Sequence, residues 1–248
     1  MIFGKIKDWK DLQEKVCILL NQVGFIAETE KKIITPRGEI EIDVFAYDPN
    51  SIDEITYIIE CKNWNNKIPQ TIIHSFTSVM NETGGNIGYI ISKKGFQKGS
   101  YDFINSTNIN IFTFDNLQER YLNLWLNDFF TIKLRESIDS FLQYTEPINS
   151  RRFRYMDNLK AVSKNKFNEL FDKYQLLGMT LTFLSYTEHK NDFPSLIKLK
   201  TEFKKEFNII LESDNYSDLL TELKLIIENI TNKFNQVFGE NIFENKSA

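Results

Sequence analysis

The sequence has few of the residues on which several enzyme classes depend. Its two histidines, His74 and His189, lie too far apart in sequence for a helical zinc motif or an HNH-type nuclease site. The patterns Gly-x-x-x-x-Gly-Lys-Ser/Thr and Gly-x-Gly-x-x-Gly are both absent. Neither a P-loop nor a dinucleotide-binding fold is therefore indicated.

The sequence also has few cysteines, no net positive charge and no long apolar run. The two cysteines, Cys17 and Cys61, lie in apolar segments, which predicts buried free thiols in a reducing compartment. The sequence contains no long uncharged apolar run and no signal-peptide core at its start, so we expect a cytoplasmic protein without membrane association. The net charge of -4 argues against a generally basic surface, so binding of nucleic acid would require a local patch or a metal.

The first half of the chain alternates between helical and strand periodicity. A helix from about Asp8 to Val23 carries an apolar stripe that includes Trp9, and Asp8 is its expected N-cap. The remaining pattern completes an α-β-β-β-α-β order, which predicts an α/β fold with a mixed sheet flanked by helices. The later elements are strands at Phe25–Thr35, in two runs within 38–64, at Asn86–Ser92 and at Ile109–Phe114, with helices from Pro69 and at Gln97–Ser106.

The second half has only helical periodicity, which predicts an all-α C-terminal domain. We divide the chain into a catalytic domain at 1–115, a connecting helix at 116–146 and a helical domain at 147–248 that serves recognition, sensing or dimerisation. The apolar stripe of the last helix fits bundle core or, alternatively, a dimer seam. The predicted C-terminal helices span Phe153–Gly178, Met179–His189, Pro194–Leu211 and Tyr216–Phe238.

The stretch at 38–64 concentrates charged residues at the ends of two apolar strands. Asp43 ends an alternating run, and Glu60 and Lys62 end a run that is apolar on both faces. Because side chains alternate along a strand, Glu60 and Lys62 share a face and Cys61 points to the other. If the runs pair as a hairpin, Asp43 and Glu60 converge at one mouth of the sheet.

Two converging carboxylates suit a hard divalent cation. Asp43, Glu60 and the backbone carbonyl of Cys61 would supply oxygen ligands to Mg²⁺, which keeps several waters, and Mn²⁺ is the expected substitute. Lys62 cannot bind the cation, but it can orient or deprotonate a metal-bound water or offset charge in the transition state. Glu41 lies in the same row of carboxylates as Asp43 and is a candidate accessory residue.

This arrangement resembles the PD-(D/E)XK nuclease superfamily and, within it, the Mrr-like restriction endonucleases. The matching residues are Asp43 and Glu60-Cys61-Lys62, supported by landmarks on both sides of them. Because the bare D…ExK pattern occurs by chance, the ordered set over about the first 115 residues carries the resemblance. The supporting landmarks are Leu19-Leu20, Gly24-Phe25, Arg37-Gly38 and the segment at 88–96.

The resemblance implies roles for two glutamines. Family members usually carry a glutamate on the opening helix near the metal, and this sequence has at that position Gln13, which cannot supply the negative charge. Gln70, at the start of the helix after the motif, would brace the catalytic Lys62 or touch a phosphate. A solvated helix face is an equally good interpretation of Gln70.

Two basic clusters are candidates for DNA contact. Lys93 and Lys94 follow a predicted strand and precede a glycine, a place where loops of open sheets hold ligands. A solvated surface pair is the more common situation for two lysines. Arg151, Arg152 and Arg154 alternate with aromatic residues, which suits phosphate contact and base stacking but also a packed helix start.

The sequence therefore predicts an Mg²⁺-dependent endodeoxyribonuclease in restriction or antiphage defence. Its partners would be DNA and a second copy of the chain, because cutting both strands with one site per chain favours a dimer, or other subunits of a defence complex. The competing hypothesis is a nuclease-fold module that binds nucleic acid or assembles with partners without turnover, motivated by Gln13. A simple strand-end ion pair between Glu60 and Lys62 is the third interpretation.

Overall fold

The computed structural model describes residues 1–186 and 193–243, which form two compact units divided between Trp125 and Leu126. The helices and strands of the first unit are α1 (Trp9–Gln22), β1 (Ile26–Thr35), β2 (Gly38–Tyr47), β3 (Thr56–Lys62), α2 (Gln70–Thr83), β4 (Ile87–Ser92), α3 (Lys98–Ile104), β5 (Ile109–Thr113) and α4 (Phe114–Trp125). The second unit begins with a π-helical turn at Leu126–Phe130 and continues with α5 (Thr131–Thr145), α6 (Ser150–Asp157), α7 (Ala161–Tyr186), α8 (Leu196–Phe207) and α9 (Tyr216–Phe238).

The first unit is built on a five-stranded sheet with the order β1-β2-β3-β4-β5. The first three strands pair antiparallel, and β3, β4 and β5 pair parallel, so the sheet is mixed. The parallel connections contain α2 and α3, because a parallel pair needs a crossover. The predicted α/β fold with a mixed sheet flanked by helices is confirmed, as is the helical character of the C-terminal region.

The strands beside the site are buried as their composition requires. Ile58 and Ile59 of β3 are 1% and 0% exposed, so this strand is covered on both faces. On one face Ile58 and Ile90 pack with α2 residues in a single apolar cluster. On the other face the Tyr89 hydroxyl lies 3.1 Å from the Tyr121 hydroxyl of α4. A strand fixed on both faces holds its terminal charged residues in place.

Helix α1 covers the sheet next to β1, β2 and β3. Its N-cap is Asp8, whose side chain accepts a hydrogen bond from the Asp11 amide at 2.9 Å, as the sequence predicts. Leu12, Val16, Leu19 and Leu20 are buried. Trp9 is a correction to the predicted stripe, because its side chain is 55% exposed at the first position of the helix.

The two cysteines differ in burial. Cys61 lies in β3 and is buried as predicted, whereas Cys17 is half-buried, which corrects the expectation that both thiols are enclosed. Cys17 lies next to Ile18, whose side chain is 44% exposed, so Cys17 borders the exposed side of α1.

The connecting helix predicted at 116–146 is interrupted. The π-helical turn at Leu126–Phe130 separates α4, which packs in the first unit, from α5, which packs with α7 and α9 in the second. The two units therefore divide within the segment that the sequence treats as one connector. The functional roles given to the segments remain predictions.

Helix α7 corrects the break that the sequence places at Gly178. The helix runs through this residue to Tyr186, and the rest of the predicted helix at 179–189 lies outside the described residues. A Cβ at Gly178 would come within 2.6 Å of Thr145 Oγ1 in α5. The glycine permits close helix packing instead of ending the helix. A separate short helix, α6, precedes α7 and replaces the start predicted near Phe153.

Helix α9 matches its predicted bounds and supplies the core of the second unit. Its buried residues follow the apolar stripe, and Phe234 stacks on Tyr144 of α5 with ring centroids 5.0 Å apart. The stripe is therefore bundle core. Throughout 1–186 and 193–243, the structure has no helix with the length and hydropathy needed to cross a membrane.

Candidate active site

The site forms where the ladder between β2 and β3 ends. Its last backbone pair is Val44 with Ile59, and the next residues along the two strands are Asp43 and Glu60. Beyond this pair the Asp43 carboxylate takes the place of a backbone acceptor: Oδ2 accepts the Cys61 amide N–H at 2.7 Å. The two strands therefore separate around Asp43. The backbone brings Asp43 and Glu60 to the same end of the two strands, as the sequence predicts.

Asp43 is fixed through both carboxylate oxygens. Its Oδ1 accepts a hydrogen bond from Gln13 Nε2 at 2.8 Å, and Gln13 is only 4% exposed on α1. One donor comes from a helix and the other from a neighbouring strand, so the carboxylate is held in one orientation. A carboxylate that is already oriented loses less conformational entropy when it binds a metal ion. Each oxygen keeps lone-pair capacity beyond its single hydrogen bond.

Glu60 and Lys62 form an ion pair on one face of β3. Burial raises the pKa of the Glu60 carboxyl above its ordinary value of 4.5, and the nearby Asp43 charge raises it further, while Lys62 acts in the opposite direction. The environment therefore disfavours the second negative charge. A cation between the two carboxylates would relieve this electrostatic cost.

The raised pKa of Glu60 predicts a stability gain on neutralisation. Between the ordinary pKa of 4.5 and the raised value, the folded protein binds more protons than the unfolded chain. The protonated Glu60 carboxyl therefore stabilises the fold below pH 4.5, and this stabilisation is lost as the pH rises through the raised pKa. We expect Glu60→Gln to increase the free energy of unfolding at neutral pH, and we expect this increase to vanish on acidification below pH 4.5.

Denaturant unfolding of Glu60→Gln across this pH range checks the prediction. Glu54→Gln is the matched control, because Glu54 is exposed in the loop before β3 and loses the same charge. Equal stabilisation by both substitutions, or a gain that persists at acidic pH, would contradict the assignment of a disfavoured charge to Glu60.

A cleft of about 480 Å³ opens beside these residues within the first unit. Glu60 is not part of its lining and borders it through the ion pair with Lys62. The lining residues are Lys7, Asp8, Trp9, Gln13, Asp43, Cys61, Lys62, Asn63 and Trp64.

The donor set fits a magnesium-type cation. Among the residues that the structure describes, no group of three or more Asp, Glu, His or Cys side chains could enclose a metal. Mg²⁺ does not require such a cage, since it commonly binds through one or two carboxylates, waters and substrate phosphates. Burial raises the pKa of the Cys61 thiol, so a thiolate ligand is disfavoured and the backbone carbonyl is what Cys61 can contribute. Asn63 Oδ1 is buried without a hydrogen-bond partner in the cleft wall.

The structure does not bring Gln70 or Glu41 into the cleft. The Gln70 Oε1 atom lies 2.7 Å from the position of a Cβ added to Gly99, so this side chain rests against α3. Glu41 is exposed on β2. Their catalytic and accessory roles remain predictions without a supporting contact.

Lys93 and Lys94 follow β4 and are exposed. The Lys93 amide donates to the Lys62 carbonyl at 3.1 Å, and its Nζ donates to Asn65 Oδ1 at 3.0 Å. The loop therefore adjoins the end of β3. This position agrees with the predicted phosphate contact, which stays a prediction.

Arg152 is a correction to the predicted DNA-binding cluster. Its side chain is 2% exposed, and its guanidinium donates to the carbonyls of Tyr144 and Glu146 at 2.9 and 2.7 Å. A buried group of this kind cannot reach a phosphate, because it is enclosed by the end of α5 and by rings of α7. Arg154 is exposed and Arg151 is half-buried, so DNA contact by these two stays a prediction.

Sequence reasoning missed the cleft's two exposed tryptophans. The helical pattern places Trp9 in the buried stripe, and Trp64 is the last residue of the stretch at 38–64. Spacing offered a signal, since Trp9 precedes Gln13 by one helical turn and Trp64 lies two residues after Lys62. The sequence gives no comparable signal for Lys7 or Asn63.

Residues 6–121 match the Mrr_cat family, which is described as restriction endonuclease. The resemblance stated from the sequence is confirmed for this part of the chain. The match contains Asp43, Glu60 and Lys62, and it ends close to the boundary between the two structural units. It supports a nuclease of the restriction-endonuclease type, and the second unit lies outside the matched residues.

Other comparisons add little. A crystal structure of a protein of unknown function, AF1548, aligns over 91% of this chain and 99% of its own, with a TM-score of 0.41 and 13% identity. A similarity at this level carries no argument about function. No curated protein gives a significant match to the sequence.

Proposed function

We propose that this protein is a metal-dependent endodeoxyribonuclease whose active site is the cleft at the end of β3. The observation that carries the proposal is the opening of the β2–β3 ladder around an oriented Asp43, with Glu60 and Lys62 at the end of the adjoining buried strand. The match of residues 6–121 to restriction endonucleases supports the same chemistry.

Asp43 and Glu60 would hold Mg²⁺, together with the Cys61 carbonyl. When bound, the cation supplies charge neutralisation at the phosphate and lowers the pKa of water. Gln13 keeps the Asp43 carboxylate oriented. Lys62, now paired with Glu60, would turn its ammonium towards the attacking water or the developing charge on phosphorus once the carboxylate is engaged elsewhere.

The family resemblance supports further features of the proposal. Hydrolysis would leave a 3′-hydroxyl and a 5′-phosphate, and the biological setting would be restriction or antiphage defence. The helical unit would serve recognition, sensing or dimerisation, and double-strand cutting would use two copies of the chain. Lys93 and Lys94, beside the catalytic strand, would contact DNA phosphates.

Incubation of supercoiled plasmid and phage DNA with the purified protein tests this function. We expect nicking or linearisation with Mg²⁺ or Mn²⁺ and none with chelator. End analysis by ligation and by 5′ labelling identifies the products. Wild-type protein that leaves every DNA intact with both metals would overturn autonomous catalysis.

One observation favours a second function, a nuclease-fold module that binds without turnover. Gln13 donates to Asp43 where the family pattern has a carboxylate, so the site carries one negative charge fewer. The double variant Gln13→Glu/Glu14→Gln separates the two functions, because it moves a carboxylate from an exposed position to the site without changing the net charge. A wild type that binds DNA without cleaving it, together with a double variant that cleaves, would establish the binding module. Cleavage by both proteins, with the double variant needing a lower Mg²⁺ concentration than wild type, would establish the enzyme.

A further inference from the structure

Two of the three tryptophans of this chain are exposed, and both line the same cleft. Trp9 is 55% and Trp64 is 44% exposed, whereas Trp125 is buried and donates to Gln22 at 2.6 Å. A large apolar ring left in water loses the free energy that burial would supply. Two such rings in one cleft indicate a ligand with flat apolar surfaces.

Each tryptophan lies one step from a residue of the active site. Trp9 precedes Gln13 by four residues on α1, so the two side chains are neighbours on the helix, and Gln13 contacts Asp43. Trp64 follows Lys62 by two residues, and the Lys62 Nζ lies 5.9 Å from the Trp64 ring centroid. The rings therefore come from the α1 wall and from the end of β3, beside the residues that would act on the phosphate.

The aromatic rings lie among charged groups of both signs. Lys7 and Lys62 line the cleft together with Asp8 and Asp43, and Lys62 is paired with Glu60. Aromatic side chains in a groove are one means by which proteins bind single strands, because every base has a face that stacks. In an intact duplex the base faces are covered by neighbouring pairs. Stacking on protein rings therefore requires unpaired nucleotides.

We propose that Trp9 and Trp64 stack on unpaired DNA bases next to the scissile phosphate, so that the preferred substrate is single-stranded DNA or DNA with an unpaired segment. The inference specifies the substrate of the nuclease proposed above. It rests on that function, because only a nuclease has a scissile phosphate. The binding itself does not require turnover, so binding and cleavage can be tested separately.

Tryptophan fluorescence measures the stacking directly. The titration uses the full-length protein in chelator and three DNAs: an oligothymidylate of about 12 nucleotides, within the range of single-strand site sizes, an abasic strand of the same length and a blunt duplex. We expect strong quenching by the oligothymidylate and little by the other two. Residual emission from the buried Trp125 sets the floor.

Single substitutions assign the quenching to the two rings. We expect Trp9→Ala and Trp64→Ala each to weaken oligothymidylate binding about 5- to 150-fold, the range for loss of one stacked base. The variants Trp9→Phe and Trp64→Phe should retain part of the affinity, and anisotropy of a labelled strand reports all four. Phe183→Ala is the control, since Phe183 is 68% exposed and lies outside the cleft residues.

The outcomes separate this inference from the proposed function. Equal binding of oligothymidylate, abasic strand and duplex, or affinities unchanged by both alanine variants, would overturn stacking even if plasmid is cleaved. Base-dependent binding that both alanine variants weaken in the anisotropy measurement would establish stacking even if no DNA is cleaved with Mg²⁺. Because both side chains are exposed, we expect all variants to fold with wild-type circular dichroism.

Discussion

Asp43→Asn is expected to lower Mg²⁺-dependent cleavage by more than about 100-fold, because loss of a partner that only supports a metal ligand already costs about 10–100-fold. The substitution removes the negative charge and one oxygen from the proposed cation site. The asparagine still offers one oxygen to the Cys61 amide, which Asp43 now accepts at 2.7 Å. Plasmid cleavage as a function of Mg²⁺ concentration measures the loss.

The fold should survive this change because Gln13 can adapt. An asparagine that gives its oxygen to Cys61 turns its NH₂ towards Gln13, whose amide can rotate and present Oε1 instead of Nε2. Both hydrogen bonds are then kept with the donor and acceptor exchanged. We therefore expect an unchanged or slightly increased free energy of unfolding, since the repulsion between Asp43 and Glu60 is also removed.

Asp53→Asn is the matched control for Asp43→Asn. Asp53 is exposed in the loop between β2 and β3 and undergoes the same loss of charge. We expect full cleavage activity from this variant. Wild-type activity in Asp43→Asn would contradict the metal role, and an equal loss in both variants would show that the chain's overall charge, not the cleft, governs the reaction.

Local sequence pattern is sufficient to predict the pairing of β2 with β3. The apolar run before Glu60 and the alternation before Asp43 each depend on neighbours within a few residues, and the turn between them fixes an antiparallel pair. The convergence of Asp43, Glu60 and Lys62 follows from that register. The role of Gln13 in orienting Asp43 does not, because it depends on where α1 docks on the sheet.

Long-range packing accounts for the features that sequence reasoning misassigned. Trp9 satisfies the helical period of α1, yet its side chain is 55% exposed at the first position of the helix. Gly178 has the composition of a helix end, yet its missing Cβ is required by Thr145 on another helix. Both cases need the position of a distant element, which periodicity within one segment does not contain.

Arg152→Met is expected to destabilise the helical unit by about 2–5 kcal/mol, because each buried carbonyl left without a donor costs about 1–3 kcal/mol. The guanidinium donates to the carbonyls of Tyr144 and Glu146, at the end of α5, where the negative end of the helix dipole also favours a cation. Burial lowers the pKa of Arg152 from its ordinary value, but arginine keeps its charge. Methionine fills much of the same space and supplies no donor.

Far-UV circular dichroism during denaturant unfolding reports this loss, because helices are the regular secondary structure in the described part of the second unit. Arg154→Met is the matched control, since Arg154 is exposed on the same short helix and loses the same charge. We expect the midpoint to fall for Arg152→Met and to stay near wild type for Arg154→Met. Equal midpoints for the two variants would contradict the structural role of Arg152. Loss of DNA binding in a fully stable Arg152→Met would instead restore the DNA contact that the alternation of arginines and aromatics predicts.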